Sequence, residues 1–131
     1  PLYERYINGR HSDGDMYPAT RQQFESFLLE TLESTRFVGF FNDDELVCVA
    51  IVDCVVNGLS ALYTFYEPSL SRNALGVNAI LWQIAECKRQ GLAHLYLGYW
   101  IENCDKMNYK KSYQPLELRH ENHWQAFNLE N

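Results

Sequence analysis

Basic residues are scarce in this chain: eleven Lys and Arg stand against seventeen Asp and Glu, a formal net charge of −6. A broad nucleic-acid surface needs clustered cations to displace counterions, so this balance argues against an extended, non-specific one. Any RNA contact must be local or borrow charge from outside these residues. Long apolar runs are also lacking; none approaches the roughly 20 residues of a membrane-spanning helix, and no membrane association is expected. The opening, PLYERYINGR, reads as polar and helical rather than as a secretory leader. It starts on Pro1 rather than Met, so a piece of a longer protein is expected. The four cysteines, Cys48, Cys54, Cys87 and Cys104, form no Cys-X-X-Cys pair, so no metal site is expected. Cys48 and Cys54 share one strand-like run, about 20 Å apart at ~3.3 Å per residue, too far to bridge. All four are expected to be small apolar side chains in a reducing cytoplasm.

What is present is core-forming material: 47% hydrophobic residues, 15% of the chain aromatic, in 131 residues. That is one domain's length, and a single domain over 1–131 is expected. Residues 3–7 read as the end of a helix that stops near Gly9, followed by a polar, turn-rich stretch. Thr20 and Gln23 have the spacing of a capping box, each side chain satisfying the other's backbone N–H. Behind it Phe24, Phe27, Leu28 and Leu32 recur at helical spacing. From Arg36 the period changes to that of strands: residues 37–41, 46–56 and 59–66 form an antiparallel meander. Asn42-Asp43-Asp44 and Asn57-Gly58 are its turns. Residues 74–90 predict an amphipathic helix with Ala79, Ile80, Ile84 and Cys87 inward and Gly91 as its C-cap. Residues 94–101, HLYLGYWI, are nearly all apolar, the pattern of a central strand buried on both faces. A short helix over 106–113 and a strand beginning at Pro115 complete the order. The class is α+β, a mixed antiparallel and parallel sheet flanked by helices, since strand–helix–strand after a meander crosses to a parallel neighbour.

This order resembles the acyl-CoA N-acyltransferase-like (GNAT) superfamily, in which substrate enters a split between two central parallel strands; here these would be residues 59–66 and 94–101. The segments GRHSDGDMYP (9–18), LSALYTFYEP (59–68), SRNALGVNAILWQI (71–84), LYLGYWI (95–101) and KMNYKKSYQPLEL (106–118) resemble the C-terminal domain of arginyl-tRNA–protein transferases. The bacterial branch of that family comprises the aspartate/glutamate leucyltransferases. Its cysteine-rich N-terminal domain has no counterpart in these residues. The resemblance implies that aminoacyl-tRNA is the donor, with no other cofactor. The acceptor would be the α-amine of proteins beginning with Asp or Glu, which the transfer marks for N-degron degradation.

That chemistry makes modest demands. An amine attacking an activated ester needs positioning, oxyanion stabilisation and loss of one proton from an ammonium of pKa about 7.7–8.0, which a weak base or water accomplishes. Asp15, in a Gly-flanked turn, is the candidate to hold or deprotonate the amine; it also reads as an ordinary Asx-turn residue. Tyr63, Tyr66, Tyr96 and Tyr99 flank or lie in the proposed central strands, where a phenol can donate to the ester or stack on the terminal adenosine. Alternation sends Tyr63 and Tyr66 to opposite faces, and Tyr96 and Tyr99 likewise. Tyr99, beside Gly98, is preferred, with Tyr63 second. Arg72, Asn73 and Gly76 occupy the place of the pyrophosphate loop and, with Lys106, are candidates for the tRNA 3′ end. Arg10, His11 and Lys110 are candidates for an acidic N-terminal residue. Lys106, Lys110 and Lys111 equally suit tRNA phosphates or a solvated face. Two further readings remain: an acetyltransferase using acetyl-coenzyme A, and a non-catalytic domain that grips N-termini.

Overall fold

A computed structural model describes residues 1–10, 17–26, 33–100, 104 and 107–127, with the backbone alone at 10 and 71–73. They fall in two compact units, Pro1–Tyr96 and Leu97–Asn131, taken here in turn.

The first unit is a four-stranded sheet with a helix against each face. Strands β1 (Thr35–Asn42), β2 (Glu45–Val55) and β3 (Gly58–Tyr66) form the expected meander, and β4 (His94–Tyr96) lies parallel to β3, in the order β1-β2-β3-β4. The α+β class and the mixed sheet are therefore as read from the sequence. Helix α1 (Leu2–Arg10) buries Leu2, Tyr3, Tyr6 and Ile7 against Val49, Ile51 and Phe65. Helix α3 (Leu75–Gln90) covers the opposite face, with Ala79 and Cys87 against Cys48, Ala50, Val52 and Leu59. Alternation along β2 makes this possible, even positions going to α3 and odd ones to α1. Burying a side chain as completely as Ile7, 1% exposed, contributes about 1.5–3 kcal/mol.

On β3 the alternation is interrupted. The register with β2 slips between Ile51↔Tyr63 and Val52↔Ala61, leaving Leu62 as an extra residue. This β-bulge turns Tyr63 and Phe65 to the α1 face, whereas Leu59 on the same strand faces α3.

Helix α1 ends at Arg10, near Gly9 as expected, and Gly9 lies against the Pro68 ring, where a side chain would crowd. Several expectations need correction. The hairpin turn after β2 is Val56–Asn57, and Gly58 already belongs to β3, paired with Val55. The capping box is half made: Thr20 Oγ1 accepts from the Gln23 N–H at 3.1 Å, starting α2 (Arg21–Phe24), but Gln23 Oε1 is buried without a partner among the described residues. Phe27, Leu28 and Leu32 lie outside those residues. Cys48 and Cys87 are buried as expected, whereas Cys54 is exposed. The loop before α3 is a 3₁₀ segment, Pro68–Asn73.

The largest correction concerns HLYLGYWI. Among its described residues only His94–Tyr96 is strand, and it is not fully buried; at Gly98 the backbone takes φ +82°, incompatible with an extended chain. In the second unit, the helix expected over 106–113 is a 3₁₀ turn, Asn108–Ser112. The final strand, β5 (Leu116–His120), pairs in a separate hairpin with β6 (His123–Phe127), which the sequence reading missed. Its turn, Glu121-Asn122, has positive φ at both residues, 49° and 69°, without the glycine that usually announces such a turn.

Candidate functional site

Within the first unit, Tyr63 stands in an aromatic cluster on the α1 face. Its ring meets Tyr6 edge-on at 6.3 Å and Phe65 at 6.4 Å, and Tyr3 joins Phe65 at 5.6 Å and Phe24 at 5.3 Å. Burial, and secondarily the neighbouring Tyr3 phenol, pushes the Tyr63 hydroxyl well above the ordinary tyrosine range. It is therefore a hydrogen-bond donor at neutral pH and not a base.

Tyr66, three residues on, packs against both core clusters. It pairs in register with Cys48, on the α3 side, yet its ring meets Tyr6 of α1 at 4.9 Å. Its edge also covers the first turn of α3, where a β-carbon at Gly76 would sit 3.6 Å from Tyr66 Cε1. The N-cap of helix α3 is Ala74 in a left-handed conformation, φ 52°, which offers no side-chain capping bond. The first-turn N–H groups of a 16-residue helix are the donors that anions use.

The pairing of β3 with β4 is short, running Gly58↔His94, Leu59↔Leu95 and Ser60↔Tyr96. Around it the Asn57 carbonyl accepts the N–H groups of Ala93 and His94, and Asn57 Oδ1 accepts the Tyr96 hydroxyl at 2.9 Å. Beyond Ser60, β3 continues to Tyr66. A cleft of about 400 Å³ lies between Tyr3 of α1 and Thr20, Arg21 and Phe24 at the start of α2; among the described residues no candidate lines it.

In the second unit, Tyr99 is 76% exposed and follows the turn at Gly98. Lys110 Nζ donates to the Tyr99 carbonyl at 2.9 Å, tying the 3₁₀ turn to this segment. Partial burial lowers the Lys110 ammonium from its ordinary value. Tyr109 and Tyr113 meet edge-on at 6.5 Å in the same turn. Among the described residues, no group of three His, Cys, Asp or Glu side chains is placed to hold a metal, and no helix is long and apolar enough to cross a membrane.

Residues 1–120 match the family model described as arginine-tRNA-protein transferase, C terminus. The chain belongs to this family. It is 56% identical over 127 residues to an aspartate/glutamate leucyltransferase of Pseudomonas fluorescens (strain Pf0-1), covering 97% of this chain and 54% of that protein. Proteins of the same name from Stutzerimonas stutzeri and Hahella chejuensis are 54% and 50% identical over 123 residues, 94% of this chain and 52% and 53% of theirs. The chain thus spans about half the length of the curated relatives it matches.

For this transferase-family chain the candidate residues divide three ways. Tyr63 and Gly76 are placed in the first unit, and Tyr99 and Lys110 are joined in the second. Asp15, His11 and Lys106 lie outside the described residues, and of Arg10, Arg72 and Asn73 only the backbone is described. Sequence reasoning missed Gln83, fully buried on the inner face of α3, whose Nε2 donates to the Ala79 carbonyl at 3.1 Å. Its position, four after Ala79 and four before Cys87, was the available signal. Glu67, which the sequence offered with Glu86 and Glu102 as a carboxylate it could not place, pairs with Arg5 at 2.6 Å.

Proposed function

We propose that this chain is the GNAT-like catalytic domain of a cytoplasmic enzyme that transfers leucine from aminoacyl-tRNA to proteins beginning with Asp or Glu. The observation that carries this is the match of residues 1–120 to the transferase C-terminal family, with relatives above 50% identity named for that reaction. The acceptor amine, once deprotonated, attacks the ester carbonyl; the new amide C–N bond forms as the ester C–O bond breaks, and the tRNA 3′ oxygen leaves with a proton. Asp15 holds or deprotonates the amine. Arg10, His11 and Lys110 receive the acidic side chain. The first turn of α3, with Arg72, Asn73 and Gly76, takes phosphates near the 3′ end together with Lys106. Tyr99, exposed, donates to the ester or stacks on the terminal adenosine; Tyr63, held protonated, serves only as a donor.

Leucine rather than arginine is favoured by the relatives' names. Of the carboxylates the sequence offered to an arginyl pocket, Glu67 is paired with Arg5 and Glu86 with Arg89, and Glu102 lies outside the described residues. The test uses the protein with its natural flanking sequence, leucyl- or arginyl-tRNA, and peptides beginning with Asp, Glu, Ala or Lys, read by mass spectrometry. Leucine added to Asp and Glu peptides alone is expected, and Asp15→Asn is expected to abolish it. Acetylation with acetyl-coenzyme A in place of aminoacyl transfer would sink the proposal, as would peptide binding without any transfer.

A further inference from the structure

Glu67, the residue after β3, is bonded at every polar group it has. Its carboxylate Oε2 accepts from Arg5 Nε at 2.6 Å and its Oε1 from Ser69 Oγ at 3.3 Å. Its N–H donates to the Val47 carbonyl at 2.8 Å, and its carbonyl accepts from the Leu70 N–H at 3.0 Å. One side chain therefore ties α1, through Arg5, to the 3₁₀ segment that leads into α3. Two flanking contacts run along the same seam: Tyr6 of α1 on Tyr66, and Gly9 of α1 against the Pro68 ring. Tyr66 in turn covers Gly76 in the first turn of α3. Arg5 is what holds the Glu67 carboxyl below its ordinary range.

We propose that Glu67 is a positioning residue for the transfer: through Arg5 and Ser69 it sets the approach to the α3 N-terminus against the C-terminal end of α1. It touches no substrate. The inference rests on the function proposed above, because it is there that the start of α3 receives tRNA and Arg10, at the end of α1, meets the acceptor. Magnitudes separate positioning from simple stabilisation. An ion pair with one partner half-exposed, as Arg5 is, adds little to global stability. Loss of one charge-assisted hydrogen bond that orients a binding surface is felt where that surface binds.

The experiment compares Glu67→Gln, Arg5→Met and the reciprocal pair Arg5→Glu with Glu67→Arg, in the protein with its natural flanking sequence. Three quantities are read: KM and kcat with leucyl-tRNA, the urea midpoint, and amide hydrogen exchange. The expected result for Glu67→Gln is a rise of about tenfold in KM for leucyl-tRNA, with kcat and the urea midpoint nearly unchanged. Exchange is expected to quicken over 68–78 but not in β2, and the reciprocal pair to recover most of the KM. An unchanged KM with unchanged exchange overturns the proposal. So does a fall in kcat that tracks a lowered urea midpoint, since that is plain destabilisation. If the parent protein transfers nothing, the functional reading fails and the role in transfer with it. Exchange still reports separately whether Glu67 orders the seam.

Discussion

Gly58 and His94 face each other across the β3–β4 ladder so closely that a β-carbon on Gly58 would overlap the His94 carbonyl oxygen. The Asn57 carbonyl accepts the His94 N–H immediately beside this contact, so the two residues form the point where β4 docks on the meander. The Asn57-Gly58 dipeptide, which closes the β2–β3 hairpin, is also the seat of the parallel strand.

Gly58→Ala is therefore expected to destabilise the first unit by about 3 kcal/mol, since backbone rather than a mobile side chain must give way. Gly76→Ala is the contrasting case. Its β-carbon would lie 3.6 Å from Tyr66 Cε1, an ordinary contact, and a helical alanine is favoured over glycine by about 0.5–1 kcal/mol. Urea unfolding of the two variants checks both; similar effects from both would show that the Gly58 approach is not as close as described. If the start of α3 receives tRNA phosphates, Gly76→Ala weakens leucyl-tRNA binding even as it raises stability.

Tyr63 makes stability fall in alkali. Its folded pKa is raised above the ordinary 10.0, so between those two values the folded state holds a proton that the unfolded state has lost. The stabilisation is complete below pH 10 and is lost as pH rises beyond it, at most about 1.4 kcal/mol per pH unit from this group. Urea midpoints from pH 9 to 11 are expected to drop more steeply in the parent than in Tyr63→Phe. Parallel profiles would mean that the Tyr63 phenol is solvated.

Lys110→Met removes the donor that holds the Tyr99 carbonyl. Transfer to Asp- and Glu-initiated peptides is expected to fall about tenfold, the scale of one lost charged contact, mainly through peptide KM. A fall in kcat with the peptide KM unchanged would assign Lys110 to holding the Gly98–Tyr99 turn alone.

Thr20 Oγ1 accepts the Gln23 N–H, and among the described residues no N–H donates in return to Gln23 Oε1. Thr20→Ala is expected to cost about 1 kcal/mol in urea unfolding, and Thr20→Ser almost nothing. Gln23→Ala, lacking the reciprocal bond to lose, is expected to cost less than Thr20→Ala.

The periodicities that depend on neighbours in sequence were legible without the fold. The β-rich run over 46–56 announced strand β2, and Ala79, Ile80 and Cys87 announced the inner stripe of α3, because burial acts directly on residues two or three to four apart. Asp43, at φ 54° in the β1–β2 turn, sits where Asn42-Asp43-Asp44 said a turn should be. The family, too, was legible, since the five motif segments lie in order along the chain. Other features were set by partners remote in sequence. The bulge at Leu62 comes from the β2–β3 register, and it alone decides that Tyr63 shares a face with α1. HLYLGYWI is apolar enough for a long strand, but a φ of +82° at Gly98 ends the extended chain, and Lys110 then takes the next carbonyl. Glu67 read as one of three unplaced carboxylates until the fold brought Arg5, 62 residues away, against it. Local pattern reports which side of an element is apolar; only tertiary contact reports what each polar atom meets, and the chemistry of this protein resides in those atoms.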